Sequence, residues 1–212
     1  MSDETRASES IEVFPQQPLY LLKSKLPKNL CNEIVEYFNT LPSQKATTTG
    51  HQENLRDTTV TWCDPNDWVG PFMFNYLNHA NRHLFQYDID GCYFNQCHML
   101  TYKPGQWYGW HTDTTEMDAL AYAPPDHNKY LNYPMKEWVR KLSFTLQLSD
   151  PDEYEGGDVE LAVNDDLEDP ITLPKERGQM CIFDSRTKHR VLPVTKGTRY
   201  TLVGWAVGPR WK

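Results

Sequence analysis

The segment Lys141-Leu142-Ser143-Phe144-Thr145-Leu146-Gln147-Leu148 alternates apolar and polar residues at every step. A period of two belongs to a β-strand, because successive side chains point to opposite faces. Leu142, Phe144, Leu146 and Leu148 form one face, and Ser143, Thr145 and Gln147 the other. Further strand-like runs surround it: Tyr93 to Tyr102, Asp158 to Val163, Gly178 to Phe183, Arg190 to Val194 and Thr198 to Val207. Gly156-Gly157, Gly178 and Lys196-Gly197 punctuate them as turns. Many short strands with this spacing predict a mainly β chain, folded as an antiparallel double-sheet barrel or jelly roll. A polar strand face inside a small barrel calls for something polar to meet it. Thr145 and Gln147 are therefore pocket candidates, although such a face can also simply look onto water.

The first ninety residues read differently. Pro27 to Leu41 places Leu30, Ile34, Val35, Phe38 and Leu41 at helical spacing, with Pro42 as a stop. Pro71 to Tyr87 carries Phe72, Tyr76, Leu77, Ala80 and Leu84 on one stripe, with Pro71 suited to a first turn. The expected organisation is a polar tail over residues 1–12 and one domain over 13–212. That domain has a helical buttress over about 13–90 and a jelly-roll core over about 91–212. Ser43 to Asp67 is polar and expected to be irregular. Thr114 to Arg140 interrupts the strand pattern with Tyr122, Tyr130, Tyr133, Trp138 and several prolines. A long insert of this kind in a small domain reads as a lid or substrate rim, or else as core filling.

Composition narrows the function. The net charge is −8 and no basic stripe is present, so nucleic acid is a poor partner for this chain. No apolar run approaches the roughly 20 residues that cross a bilayer, and residues 1–12 lack the apolar core of a signal peptide. Five scattered cysteines, none in a CxxC pair, fit buried thiols in a soluble, cytoplasmic protein. The oligomeric state is not legible.

The chemistry-bearing pattern is His111-Thr112-Asp113, with His189 and then Arg199 downstream. Two imidazoles and one carboxylate are the ligand set of a mononuclear iron(II) site that keeps open positions on one face. His111 and Asp113 lie two apart and share a face of an extended segment. Arg199 opens the last apolar strand and shares a face with Thr201, Val203 and Trp205. A guanidinium there suits bidentate capture of a carboxylate. Taken singly, each of these residues is more often a satisfied polar side chain, and Arg199 a surface ion pair; the ordered set is what points to oxygen activation on iron. Tyr102 and Tyr108 divide evenly between core packing and a pocket rim. His79 and His83 stand four apart on the second helix but lack the glutamate of an HExxH motif. Arg186, Lys188 and Arg190 flank His189, either solvated or attracting an acidic substrate.

These residues resemble the iron(II)- and 2-oxoglutarate-dependent dioxygenases, in their prolyl-4-hydroxylase-like, PKHD-type branch. The resemblance runs through Tyr102, Tyr108 and His111-x-Asp113, then Arg140-Lys141-Leu142-Ser143 into Leu148-Ser149-Asp150-Pro151-Asp152-Glu153-Tyr154-Glu155-Gly156-Gly157, then Gly178 to Val194, and Gly197 to Trp205. It implies a double-stranded β-helix core. It implies His111, Asp113 and His189 as iron ligands, Arg199 as the anchor of 2-oxoglutarate, and Tyr102 as a lining residue of that pocket. Fe(II), 2-oxoglutarate and O2 are the implied cofactor and co-substrates, with ascorbate as a reductant. The implied reaction hydroxylates a C–H bond, first a prolyl residue of a protein or peptide, with release of succinate and carbon dioxide. The same chemistry on a free amino acid or small metabolite is the alternative. A catalytically silent binding module is disfavoured, because all three ligands and the arginine are present.

Overall fold

The computed structural model describes residues 19–46, 55–64, 66–92, 96–113 and 138–211. The tail over 1–12 and the insert from Thr114 through position 137 lie outside the described residues.

The described chain is mainly β, and its strand pairs are antiparallel. A seven-stranded sheet runs β1 (Leu19–Leu21), β11 (Met180–Asp184), β7 (Trp138–Gln147), β14 (Arg199–Pro209), β5 (Cys97–Tyr102), β4 (Thr59–Trp62) and β2 (Ser43–Lys45). A five-stranded sheet runs β10 (Ile171–Thr172), β9 (Val159–Ala162), β12 (Lys188–Val191), β6 (Trp107–His111) and β3 (Arg56–Asp57). A third pair joins β13 (Val194–Gly197) to β8 (Tyr154–Gly156).

Strand alternation sorts the side chains of the large sheet into two cores. Leu142, Phe144 and Leu146 of β7 join Met180 and Ile182 of β11 and Leu202 of β14 in one buried cluster. The same cluster holds Ile34 and Phe38 of α1 (Lys28–Asn39) and Met73 and Leu77 of α2 (Val69–Ala80). The opposite face sends Leu100, Tyr102, Cys181 and Phe183 into a second cluster with Val159, Leu161 and Val191 of the five-stranded sheet. Helices thus cover one face of the large sheet, and the small sheet covers the other. Each buried Leu or Phe contributes about 1.5–3 kcal/mol of transfer free energy relative to exposure. The polar face of β7 turns away from the helices, towards the space between the sheets.

Several expectations shift at element boundaries. The first helix starts after Pro27, whose fixed φ suits a helix entry. The second begins at Val69, ahead of Pro71, and its regular α turns end at Ala80. A π turn over Asn81–Phe85 follows, and Gln86 closes it in the left-handed region. The Asn81 side chain bridges both the amide and the carbonyl of Tyr87 and ends the helix there. Ser43 to Asp67 is not irregular throughout. It supplies β2, β3 and β4, each too short to show a period but paired along neighbours. The insert is shorter at its C-terminal end than the sequence suggests, because Trp138, Val139 and Arg140 already belong to β7. Arg190 to Val194 splits between β12 and β13, and Cys97 opens β5. Short strands β1, β8 and β10 were not legible in the sequence. No helix among the described residues is long and apolar enough to cross a membrane.

The turn entering β11 needs glycine. Gly178 has φ +81, and a Cβ there would stand 2.2 Å from Leu26 O. The close approach lets Leu26 N–H bond Gly178 O at 2.9 Å, tying the segment ahead of α1 to the sheet. Gly178→Ala is expected to destabilise the fold by about 2 kcal/mol or more, from positive φ plus the clash. Urea denaturation of the variant beside the parent measures it.

Candidate metal centre

The pairing of β6 with β12 sets His111 opposite His189. The register shifts between His189 and Val191, so the ladder is irregular next to the two imidazoles. Asp113 follows β6 by two residues. Its N–H donates to Ser185 O at 2.9 Å, which turns the carboxylate back towards the pair. One donor atom from each of His111, Asp113 and His189 lies within 4.8 Å of the others. Nε2 of His111 is 3.6 Å from Asp113 Oδ1, and Nε2 of His189 is 3.4 Å from Oδ2. Among the described residues this is the one group of three or more such ligands. The His79 and His83 rings lie 4.4 Å apart, tilted at 57°, but join no such group.

Each imidazole is oriented through its other nitrogen. Nδ1 of His111 lies 2.8 Å from Gly109 O, and Nδ1 of His189 lies 3.0 Å from Thr187 O. A carbonyl only accepts, so each Nδ1 carries the proton and each Nε2 offers a lone pair towards Asp113. Tyr108 stacks on His111 with centroids 3.5 Å apart and planes 12° apart, and the Arg56 guanidinium covers the Tyr108 ring at 4.6 Å. Burial, with the neighbouring His189, lowers the His111 imidazole to about 3, so it is neutral at physiological pH. Burial alone would raise the Asp113 carboxyl. His189, His111 and Arg140 outweigh it and hold the group well below the usual carboxylate range. Ser143 Oγ donates to Asp113 Oδ2 at 2.7 Å. A charged carboxylate between two imidazoles, in a largely dry site, is a donor set for a divalent cation.

Whereas the two histidines lie on the small sheet, Arg199 opens β14 of the large sheet. It is 2% exposed and is the Cα partner of Tyr102 across β14 and β5. Its Nη1 and the Tyr102 hydroxyl are both buried without a hydrogen-bond partner. The Thr58 hydroxyl nearby already donates to Thr101 O. Burial raises the Tyr102 phenol. A narrow recess opens beside Arg199, lined also by Thr145, Gln147, Tyr154, Gly157 and Gln179. Gly157 makes room for the arginine stem, since a Cβ there would stand 3.1 Å from Arg199 Cδ.

The sequence-selected residues therefore divide. Thr145 and Gln147 line the recess. Thr201 is buried behind it, with its hydroxyl 3.0 Å from that of Thr145 and donating to Leu146 O. Trp205 lies towards the metal ligands rather than the recess. Its ring packs under the Arg140 guanidinium at 3.3 Å, and its indole helps lower the Asp113 carboxyl. Tyr108 belongs to the imidazole stack. The cations around His189 are paired: Arg186 with Asp184, Lys188 with Asp165 and Arg190 with Glu160. Ser143, Arg56, Ser185 and Thr187 were missed by sequence reasoning. Ser143 had a signal, because it shares the polar face of β7 with Thr145 and Gln147. The others act through backbone or stacking that no spacing reveals.

The family model for the 2OG-Fe(II) oxygenase superfamily matches residues 97–207, from β5 to within β14. This chain belongs to that superfamily. Its similar relatives are PKHD-type hydroxylases, the branch in which it falls. That of Synechococcus sp. (strain CC9605) is 36% identical over 101 residues, covering 48% of this chain and 36% of the relative. That of Xylella fastidiosa (strain M12) is 40% identical over 105 residues, covering 49% and 40%. The match thus spans well under half the length of these curated relatives. A Pseudomonas putida prolyl-4-hydroxylase structure shares the fold at TM-score 0.64 and 20% identity, covering 92% of this chain and 93% of that one. A Trichoplax adhaerens prolyl hydroxylase, solved with a hypoxia inducible factor peptide fragment, gives TM-score 0.65 at 15% identity over 89% and 82%.

The superfamily implies iron(II), 2-oxoglutarate and oxygen, and the residues of this chain fit them. Two imidazoles and a carboxylate suit iron(II). A buried guanidinium with an unpartnered Nη1, beside a recess, suits a carboxylate.

The depressed His111 fixes a sign for acid stability. Its ordinary value of 6.5 applies to the unfolded chain, which therefore binds the proton that the folded state refuses. The metal-free protein should lose stability as pH falls from about 6.5 towards about 3. His111→Gln should flatten that fall, read as the urea midpoint against pH.

Proposed function

We propose that this chain is an iron(II)- and 2-oxoglutarate-dependent dioxygenase that hydroxylates a prolyl residue of a protein or peptide, releasing succinate and carbon dioxide. The observation that carries the reading is the convergence of His111, Asp113 and His189 on one point, with the buried Arg199, its Nη1 unpartnered, on the large sheet that packs against theirs. The two facing antiparallel sheets are then the double-stranded β-helix, or jelly roll, of a single domain over 13–212, with α1 and α2 as its buttress.

In this reading His111, Asp113 and His189 hold iron(II) through Nε2, a carboxylate oxygen and Nε2. Arg199 takes the distal carboxylate of 2-oxoglutarate, assisted by the Tyr102 hydroxyl, with Thr145 and Gln147 as the polar wall. Bound iron supplies the oxygen activation and the attack on the substrate C–H bond. The protein supplies orientation. Gly109 O and Thr187 O keep both Nε2 atoms unprotonated and aimed. Ser143 Oγ holds the Asp113 carboxylate in place. Tyr108, stacked on His111, limits water on that side. Beyond Asp113, Trp205, His98 and the exposed Trp62 form an aromatic row, with His98 4.3 Å from Trp62 and 5.1 Å from Trp205. Flat aromatic faces suit the apolar pyrrolidine ring of a prolyl residue. The cysteines at 31, 63, 92, 97 and 181 are free and buried, which fits a reducing, cytoplasmic setting.

The test is succinate formation from 2-oxoglutarate by the iron-loaded protein, with and without proline-containing peptides. Peptide-stimulated turnover, abolished in His189→Ala, is the expected outcome. Uncoupled turnover that no peptide accelerates would move the substrate to free amino acids or metabolites. Arg199→Ala should raise the KM for 2-oxoglutarate roughly 30-fold or more, since truncating one partner of a buried charge pair costs about 2–5 kcal/mol.

A further inference from the structure

The turn between β11 and β12 reaches two of the three ligands through backbone carbonyls. Ser185 O accepts the Asp113 N–H at 2.9 Å, and Thr187 O accepts from His189 Nδ1 at 3.0 Å. Ser185 Oγ lies 2.9 Å from Ser143 Oγ, the hydroxyl that donates to Asp113. The placement of both ligands therefore depends on where this short turn sits.

What holds the turn is Asp184, the last residue of β11, which is 3% exposed. Its Oδ1 accepts the Arg186 N–H at 2.8 Å and Arg186 Nε at 2.9 Å. Its Oδ2 accepts the Tyr87 hydroxyl and Arg186 Nη2, each at 2.6 Å. Its carbonyl accepts the Thr187 N–H at 2.9 Å. The Arg186 guanidinium is clasped in turn, because it lies 4.0 Å from the centre of the Trp211 ring. Tyr87 meets Trp211 edge-on at 4.7 Å, and Lys141 Nζ covers the same ring at 3.6 Å. Residues far apart in sequence, from the end of the helical region, β7 and the segment after β14, thus converge on one carboxylate. That carboxylate touches neither the imidazoles nor Asp113.

We infer that Asp184 is a positioning residue: clamped by Tyr87, Arg186 and Trp211, it fixes the turn whose carbonyls aim Asp113 and His189. The functional consequence rests on the metal-centre reading above, whereas the mechanical claim does not. Asparagine keeps the shape of Asp184 but loses its charge and cannot accept at both positions of the carboxylate. Changes to partners that orient metal ligands typically cost 10–100-fold in metal affinity.

The experiment compares the full chain with Asp184→Asn and Tyr87→Phe by two readouts. Co(II) titration, followed by visible absorption, reports metal affinity and ligand geometry. Amide hydrogen exchange at Asp113, measured without metal by NMR, reports the bond to Ser185 O directly. Asp184→Asn is expected to fold, to bind Co(II) roughly 10–100-fold more weakly with shifted absorption bands, and to exchange the Asp113 amide faster. Tyr87→Phe should move in the same direction by less, because Arg186 still holds the carboxylate. A folded Asp184→Asn with parental Co(II) affinity, bands and exchange overturns the inference. Should that variant fail to fold, Arg186→Lys and Tyr87→Phe carry the same comparison, and parental values in both overturn it. A parent that binds no Co(II) would remove the metal-centre reading, while Asp113 exchange would still decide the clamp.

Discussion

The centre of this molecule depends on one cross-strand pair. His111 and His189 face each other across β6 and β12, so their separation is set by a backbone ladder rather than by flexible side chains. A strand pair holds opposite Cα atoms roughly 4.5–5.5 Å apart, close enough for two imidazoles to share a cation. The third ligand cannot come from the ladder. Asp113 lies past the end of β6, and it is held by a backbone hydrogen bond to the neighbouring turn, by the Ser143 hydroxyl on its carboxylate and by the Arg140 guanidinium on its carbonyl. Two rigid candidate ligands and a tethered third suit a metal site that leaves coordination positions free.

Around this pair the large sheet works with both faces. Its helix-side face is a continuous apolar core, which lets the opposite face carry Ser143, Thr145, Gln147, Thr201 and Arg199. Buried polar groups are costly unless satisfied. Most of these are: Gln147 by Tyr154, Thr201 by Leu146 O, and Ser143 by Asp113. The exception at the recess is Arg199, whose Nη1 lacks a partner. A buried guanidinium nitrogen without a partner beside a polar recess suits a small carboxylate.

The strands that the sequence made legible were those with enough residues to show a period. Residues 141–148 alternate over eight positions, and the faces read from them are the faces observed. The strands β1, β2, β3, β8 and β10 have two or three residues each, and their existence depends on a partner edge. The three ligands and Arg199 were legible because their residue types are restricted by chemistry and their order by the chain. Thr201 and Trp205 share a strand face with Arg199, as read, but the stretch from Arg199 to Trp205 spans about 20 Å and cannot serve one small recess along its whole length. Trp205 consequently ends beside Asp113, and Thr201 behind Thr145.

From the sequence alone came the class of fold, the family likeness, the two amphipathic helices and the identity of the candidate ligands. These follow from local periodicity and from the few side chains able to hold iron or a carboxylate. Only the tertiary structure decided how those ligands are aimed: the carbonyls of Gly109, Ser185 and Thr187, the Tyr108 stack and the Asp184 clamp. Backbone carbonyls are present at every residue, so sequence carries no mark of which ones are used. Folding alone selects them, by bringing β6, β7, β12 and the turn before β12 to one point.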